Sequence, residues 1–295
     1  FKKKRNKSTK HQTGDVTDQY ESIHIGHYEK GHLKGAGLAI FFHGAVCDSY
    51  FGEFDEHGNR HGLGKEISYS QEEKIVFYDG QWKNDYKHGL GIWRVENEKY
   101  EGSFSQNMRD GVGSLSYDDQ PIYEGEWKED QYHGYGKICT ASGAGYFQFE
   151  KNQKVGVGIL EEESGEYYLG EWKNSLKHGV GEYKNPNGER YIGKWENDKR
   201  HGVGKSGVGQ SDTYTGYFNQ GIRHGIGKSE EAGEIYVGNW NEGARDGLGK
   251  HSYKSNKNTE TYTGKFEKGR KIGHGKLDVK LDVKLEYGFE YSYIG

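Results

Sequence analysis

Tyr123-Glu-Gly125-Glu-Trp127-Lys-Glu-Asp-Gln-Tyr-His133-Gly134-Tyr-Gly136 is one of eleven copies of a short pattern. The pattern reads aromatic, any residue, Gly, any residue, aromatic, a polar stretch, then Gly-x-Gly. Other clear copies are Tyr78-Asp-Gly80-Gln-Trp82 leading to His88-Gly89-Leu-Gly91, and Tyr191-Ile-Gly193-Lys-Trp195 leading to His201-Gly202-Val-Gly204. The copies begin at His24, Tyr50, Tyr78, Tyr100, Tyr123, Gly145, Tyr168, Tyr191, Tyr214, Tyr236 and Tyr262, at intervals of 22 to 28 residues. A nearly constant period of this length marks a linear array, in which each unit is stable only against its neighbours.

Within a unit the residues alternate with period two, as in Tyr168-Leu-Gly170-Glu-Trp172, and aromatic residues favour strands. A polar stretch such as Lys173 to Lys177 follows, and a second strand is expected from His178-Gly179-Val-Gly181. Each unit is thus predicted to be a β-hairpin. The glycines are expected to leave strips free of side chains, across which Tyr and Trp rings lie, because strand-interior glycine is otherwise unfavourable. The position four residues after each origin is aromatic in all eleven units and holds five of the six tryptophans. The candidate structural or partner-binding aromatics are therefore Tyr78, Trp82, Tyr123, Trp127, Tyr168, Trp172, Tyr191, Trp195, Tyr236 and Trp240. The unit at Tyr50 has one extra residue around His57-Gly58-Asn59, and the unit at Gly145 is degenerate, with Phe147 at the glycine position. At ~4.8 Å per strand the array is expected to span roughly 100 Å.

Composition agrees with an array rather than a single thick core. Only 31% of the 295 residues are apolar, yet 14% are aromatic and 48 are glycine, which separates the chain from both ordinary globular and disordered sequences. The net charge of −4 is uneven: residues 1–10 carry six basic side chains, and removing those six leaves −10 for the remainder. An acidic array disfavours nucleic acid and anionic membrane surfaces. Cys47 and Cys139 lie far apart and form no zinc or disulfide pattern, so a reducing, cytoplasmic compartment is expected.

The copies resemble MORN repeats (membrane occupation and recognition nexus), from residue 24 to about 276. The resemblance implies an all-β fold: an elongated, twisted, single-layer antiparallel sheet of about eleven consecutive hairpins. It implies no reaction and no cofactor. Similar arrays occur in junctional membrane proteins, some lipid kinases, protozoan cytoskeletal scaffolds and ciliary radial spoke heads. The expected organisation is a basic disordered tail over residues 1–20, the array over 21–276, and capping strands or the start of a further unit over 277–295. The partners expected are other proteins of a large assembly, a second MORN protein or a second copy of the chain. Localisation to the cytoskeleton of a cilium or flagellum axoneme is favoured.

Chemistry is weighed against the period and loses. His61, His88, His133, His178, His201 and His224 precede the glycine pair in six units. Neighbouring copies would be ~10 Å apart, too far to share a metal at ~2.1 Å. Gly202-Val-Gly204-Lys-Ser-Gly207 matches a dinucleotide fingerprint in letters only, because no strand-loop-helix context surrounds it. No nucleophile-elbow motif accompanies any Ser, so a non-catalytic protein is expected. The alternative to a protein scaffold is peripheral attachment to anionic phospholipid through Lys2, Lys3, Lys4 and Arg5, at about 1 kcal/mol per basic residue.

Overall fold

The computed structural model describes residues 2–8, 20–43, 46–69, 74–209, 212–255, 258–281, 283–284 and 290–291. All regular structure among them is β, and successive strands pair antiparallel, as across Tyr167–Lys173, Leu176–Lys184, Glu189–Glu196 and Lys199–Val208. The chain divides into two compact units. One holds Phe1–Thr140 with Gln148–Asn152, and the other Ala141–Phe147 with Gln153–Gly295. Each is a meander whose hairpins follow the repeat.

The hairpin Tyr167–Lys173 and Leu176–Lys184 shows the local logic. Its strands are joined by only two residues, Asn174 and Ser175, with φ of 51° and 65°. Two consecutive left-handed residues are what the right-handed twist of paired strands requires of a tight hairpin, and Asn and Asp tolerate them best. The same pair of positive φ values recurs at Asn84–Asp85, Gln106–Asn107, Glu129–Asp130 and Asn197–Asp198. The polar stretch expected to be a loop is therefore mostly strand. In the unit at Tyr50 the extra residue opens a longer loop, in which the Asp55 carboxylate accepts from the N–H groups of His57 and Asn59.

The three glycines do two different jobs. Gly170 and Gly181 face each other across the hairpin, and a Cβ on Gly181 would stand 2.4 Å from the Tyr168 hydroxyl oxygen. The tyrosine ring lies over that facing pair, as the sequence leads one to expect. The first glycine of Gly-x-Gly is different. Gly179 has φ 57°, and the register shifts between Gly170 and Glu171, so it forms a β-bulge rather than a flat strip. Gly89, Gly134, Gly202 and Gly225 repeat this conformation, with φ between 56° and 60°.

Three expectations change. Lys2–Ser8, anticipated as part of an unstructured tail, forms a strand that pairs with Tyr20–Gly26; residues 9–19 lie outside the described residues. Leu277–Leu281, anticipated as a cap, continues the returning strand Arg270–Leu281 of the last hairpin. Beyond it Val283–Lys284 pairs with Glu290–Tyr291 in a small separate sheet. Residues 285–289 and 292–295, which fall in the expected start of a further unit, lie outside the described residues. Finally, the hairpin at Gly145 is rearranged, not degenerate: a Cβ on Gly145 or on Gly158 would meet the Phe147 ring at 2.4 or 2.5 Å. Ring and glycine have exchanged places.

Candidate functional site

One face of each hairpin carries the rings. In the first compact unit each tyrosine meets its own aromatic partner and that of the next hairpin: Tyr78 lies 5.2 Å from both Trp82 and Phe104, and Tyr100 5.0 Å from Phe104 and 5.2 Å from Trp127. In the second, Tyr168 joins Trp172 and Trp195, Tyr191 joins Trp195 and Phe218, and Tyr236 joins Trp240 and Phe266. All these contacts are edge-to-face, the arrangement the ring quadrupole favours, at about 0.5–1.5 kcal/mol per pair beyond area burial.

Polar atoms of the rings are satisfied internally. The hydroxyls of Tyr78, Tyr168 and Tyr191 donate to the carbonyls of Gln81, Glu171 and Lys194 at 2.8–3.0 Å. The indole N–H of Trp82, Trp127, Trp172, Trp195 and Trp240 donates to a glycine carbonyl of the preceding hairpin at 3.2–3.3 Å. Burial pushes the hydroxyls of Tyr100, Tyr191 and Tyr214 up to about 12, so they remain neutral donors near neutral pH. Tyr78 is 0% exposed and Trp82 3% exposed, and the other eight candidate aromatics are buried as well. These ten side chains hold successive hairpins together and are withdrawn from the surface.

Two series that sequence reading missed complete this face. Nine residues after most tyrosines stands a cation whose head lies over the rings: Arg109 is 4.3 Å from the Trp127 ring, Lys87 5.1 Å from Tyr78, and Arg223 4.9 Å from Tyr214. A cation over an aromatic face is worth about 0.5–2 kcal/mol, most where water is excluded. Several are also ion-paired, as Arg109 with Asp130 at 2.9 Å and Arg200 with Glu189 at 2.7 Å. Lys154 and Lys177 lie over Phe147 and Tyr183, and burial pulls both ammonium groups below the ordinary lysine value. At this position Tyr132 stacks instead on Tyr123, at 3.9 Å.

The second series is in the turns. From Asn84–Asp85 onward each two-residue hairpin turn docks on the returning strand before it. Asp198 N–H donates to the Lys177 carbonyl, and its carboxylate accepts from the Lys177 N–H at 2.8 Å. Asp85 and Asp130 do the same to Arg60 and Arg109. The signal was present as periodic Asp, Asn or Ser seven residues after the origin.

The far face carries the exposed apolar side chains. The residue between the paired glycines points there, and it is exposed as Leu63, Leu90, Val112, Tyr135, Val157, Val180, Val203, Ile226 and Leu248. The histidines are on this face too, at the bulge: His178 sits opposite Glu171 and His133 opposite Glu126. The carboxylates of Glu171 and Glu126 accept the bulge N–H groups of Val180 and Tyr135 at 2.9 Å, which gives the acidic residue a structural task. Among the described residues no three His, Cys, Asp or Glu side chains converge into a metal-binding group. Lys2, Lys3, Lys4 and Arg5 lie on the strand paired with Ile23–Gly26.

Rings locked over facing glycines, repeated hairpin after hairpin, define a β-hairpin repeat protein. A model of the MORN repeat matches residues 50–71, 78–94, 100–120, 123–144, 168–190, 191–206, 214–230 and 236–257, more than half of the sequence. The chain belongs to the MORN repeat family. The hairpins at His24, Gly145 and Tyr262 fall outside the matched segments, although they fold in the same way. The chain is similar to Alsin of Homo sapiens and of Mus musculus, 30% identical in each case over 95 residues. Those residues are 32% of this chain and 6% of Alsin, so the similarity covers a small part of that protein.

Proposed function

We propose that the chain is a non-catalytic scaffold that binds protein partners along the far face of its hairpins. The observation that carries this reading is the division of labour between the faces. The buried aromatic side chains are engaged with one another, whereas a large exposed apolar residue recurs on the opposite side in nine of the eleven hairpins. Large exposed apolar stripes mark interaction surfaces in folded proteins. Among such assemblies the cytoskeleton of a cilium or flagellum axoneme, in a radial-spoke-like role, is the setting that family analogy favours. Localising the tagged natural protein tests the setting: axonemal or other cytoskeletal signal is expected, and uniform plasma-membrane signal would contradict it.

The second reading, attachment to anionic phospholipid, draws on Lys2, Lys3, Lys4 and Arg5 gathered on one strand. Co-sedimentation with phosphatidylserine vesicles, with and without residues 1–10, separates the two. Binding that survives removal of those residues would overturn the protein-scaffold preference, and no binding at all would remove the membrane reading.

A further inference from the structure

The far face of the second compact unit is not uniform. Lys205 stands directly opposite Thr215, and Thr215 opposite Lys228. Lys228 faces Val237, Val237 faces Lys250, Lys250 faces Thr263, and Thr263 faces Lys276. Directly opposed residues of antiparallel strands share a face, so four exposed lysines form one row across the strands. They recur every second strand, about 9.6 Å apart. Two residues earlier on the same strands, and therefore beside the row, stand Val203, Ile226 and Leu248, exposed by 63%, 73% and 70%. Their directly opposite neighbours are Tyr217, Asn239 and Lys265, so a large apolar side chain stands beside each of the first three lysines, on every second strand.

The equivalent row in the first compact unit has a different character. Between Lys65 and Lys137 it carries Asp79, Glu101 and Glu124, and Lys65 is already paired with Asp79 at 2.7 Å. The repeat therefore does not require lysine here. In the second unit Lys228 and Lys276 pair with Glu230 and Asp278 on their own strands, at 2.6 and 2.8 Å. Lys205 and Lys250 have no ion pair among the described residues.

Resting on the scaffold reading above, we infer that this lysine row with its apolar neighbours docks an acidic amphipathic helix of a partner protein. The helix lies across the strands, with carboxylates on the lysine row and apolar side chains on Val203, Ile226 and Leu248. The spacing selects the occupant. Two turns of α-helix, seven residues, advance about 10.5 Å, close to the two-strand repeat, so one acidic residue per heptad meets each lysine. An extended strand presents same-side residues every ~6.7 or ~13 Å and matches neither. From Lys205 to Lys276 the row carries no acid, the nearest in the row being Glu182 two strands before Lys205, and this stretch supplies the charge complementarity, which sets encounter rate and register more than depth of binding.

The test uses the whole chain and a designed peptide of about four heptads, with Glu at every seventh position and Leu beside each Glu. Binding is followed by fluorescence anisotropy at low and moderate salt. The peptide is expected to bind, more weakly as salt rises. Lys205→Glu with Lys250→Glu should weaken it about tenfold or more with an unchanged melting temperature, while Lys65→Glu leaves it unaltered. Equal binding by a peptide of scrambled spacing would overturn the inference. So would indifference to the double substitution, tighter binding of a proline-rich peptide with Glu every third residue, or binding of phosphatidylserine vesicles but not of the peptide. Failure of the peptide beside a cytoskeletal location of the natural protein would sink the helix site and leave the scaffold reading standing.

Discussion

The hairpin that begins at Tyr168 and the one that begins at Gly145 reach one packing arrangement with ring and glycine exchanged. In the first, the Tyr168 ring covers Gly170 and Gly181; in the second, the Phe147 ring covers Gly145 and Gly158. Both rings then meet Trp172 edge-on, at 5.1 and 5.2 Å. The difference shows that the repeat is a geometric rule, one ring over two bare backbones, and that the order of letters is one way of satisfying it. What the exchanged hairpin gives up is a hydroxyl. Tyr168 donates to the Glu171 carbonyl at 3.0 Å, a bond that Phe147 cannot make.

That missing hydroxyl marks the largest expected effect, in alkali. Burial raises the pKa of Tyr78, Tyr123 and Tyr168 above its ordinary value of 10, and of Tyr191 and Tyr214 to about 12. The unfolded chain therefore loses these protons first, and stability falls as pH rises above 10. Each buried tyrosine contributes a slope of up to about 1.4 kcal/mol per pH unit between its unfolded and folded values. Circular dichroism should show cooperative unfolding between pH 10 and 12, which Phe147 does nothing to promote.

The exchange itself can be reversed. Phe147→Gly alone should cost about 3–5 kcal/mol in denaturant unfolding, as loss of a buried ring does. Gly145→Tyr alone should cost about 1–3 kcal/mol, because its Cβ meets the Phe147 ring at 2.4 Å. Together they rebuild the ordinary pattern and should recover most of the loss, a coupling that additivity of the single changes would disprove. Gly181→Ala, in the ordinary hairpin, drives a Cβ to 2.4 Å from the tyrosine hydroxyl and should lower stability by about 2–3 kcal/mol in the same assay. Trp195→Phe removes the indole bond to the Gly181 carbonyl and should cost about 1 kcal/mol. Val203→Ser, on the far face, should change the melting temperature little, within about 0.5 kcal/mol of stability.

Much of this is legible in the sequence. Period, hairpins, facing glycines and rings across them follow from alternation at Tyr168-Leu-Gly170-Glu-Trp172, because a two-residue period admits one backbone. The bulge at Gly179 was hidden, since a glycine that supplies φ 57° and one that makes room look alike as letters. Lys177 and Arg109 were hidden for a related reason. A cation in a polar stretch reads as solvated, and only the docking of the next turn brings it over the rings. Of the two roles offered for the candidate aromatics, structural or partner-binding, their burial favours the structural one, while the exposed far-face residues recur beside them in plain sequence.

Tryptophan quenching tests the central claim, that the rings hold the hairpins together and leave partner binding to the far face. With Trp93 replaced by Phe, the remaining indoles are Trp82, Trp127, Trp172, Trp195 and Trp240, all buried. Iodide should quench them weakly in the free chain and equally weakly when a partner is bound. Strong quenching of the free chain that a bound partner then suppresses would place the partner on the rings and contradict the account.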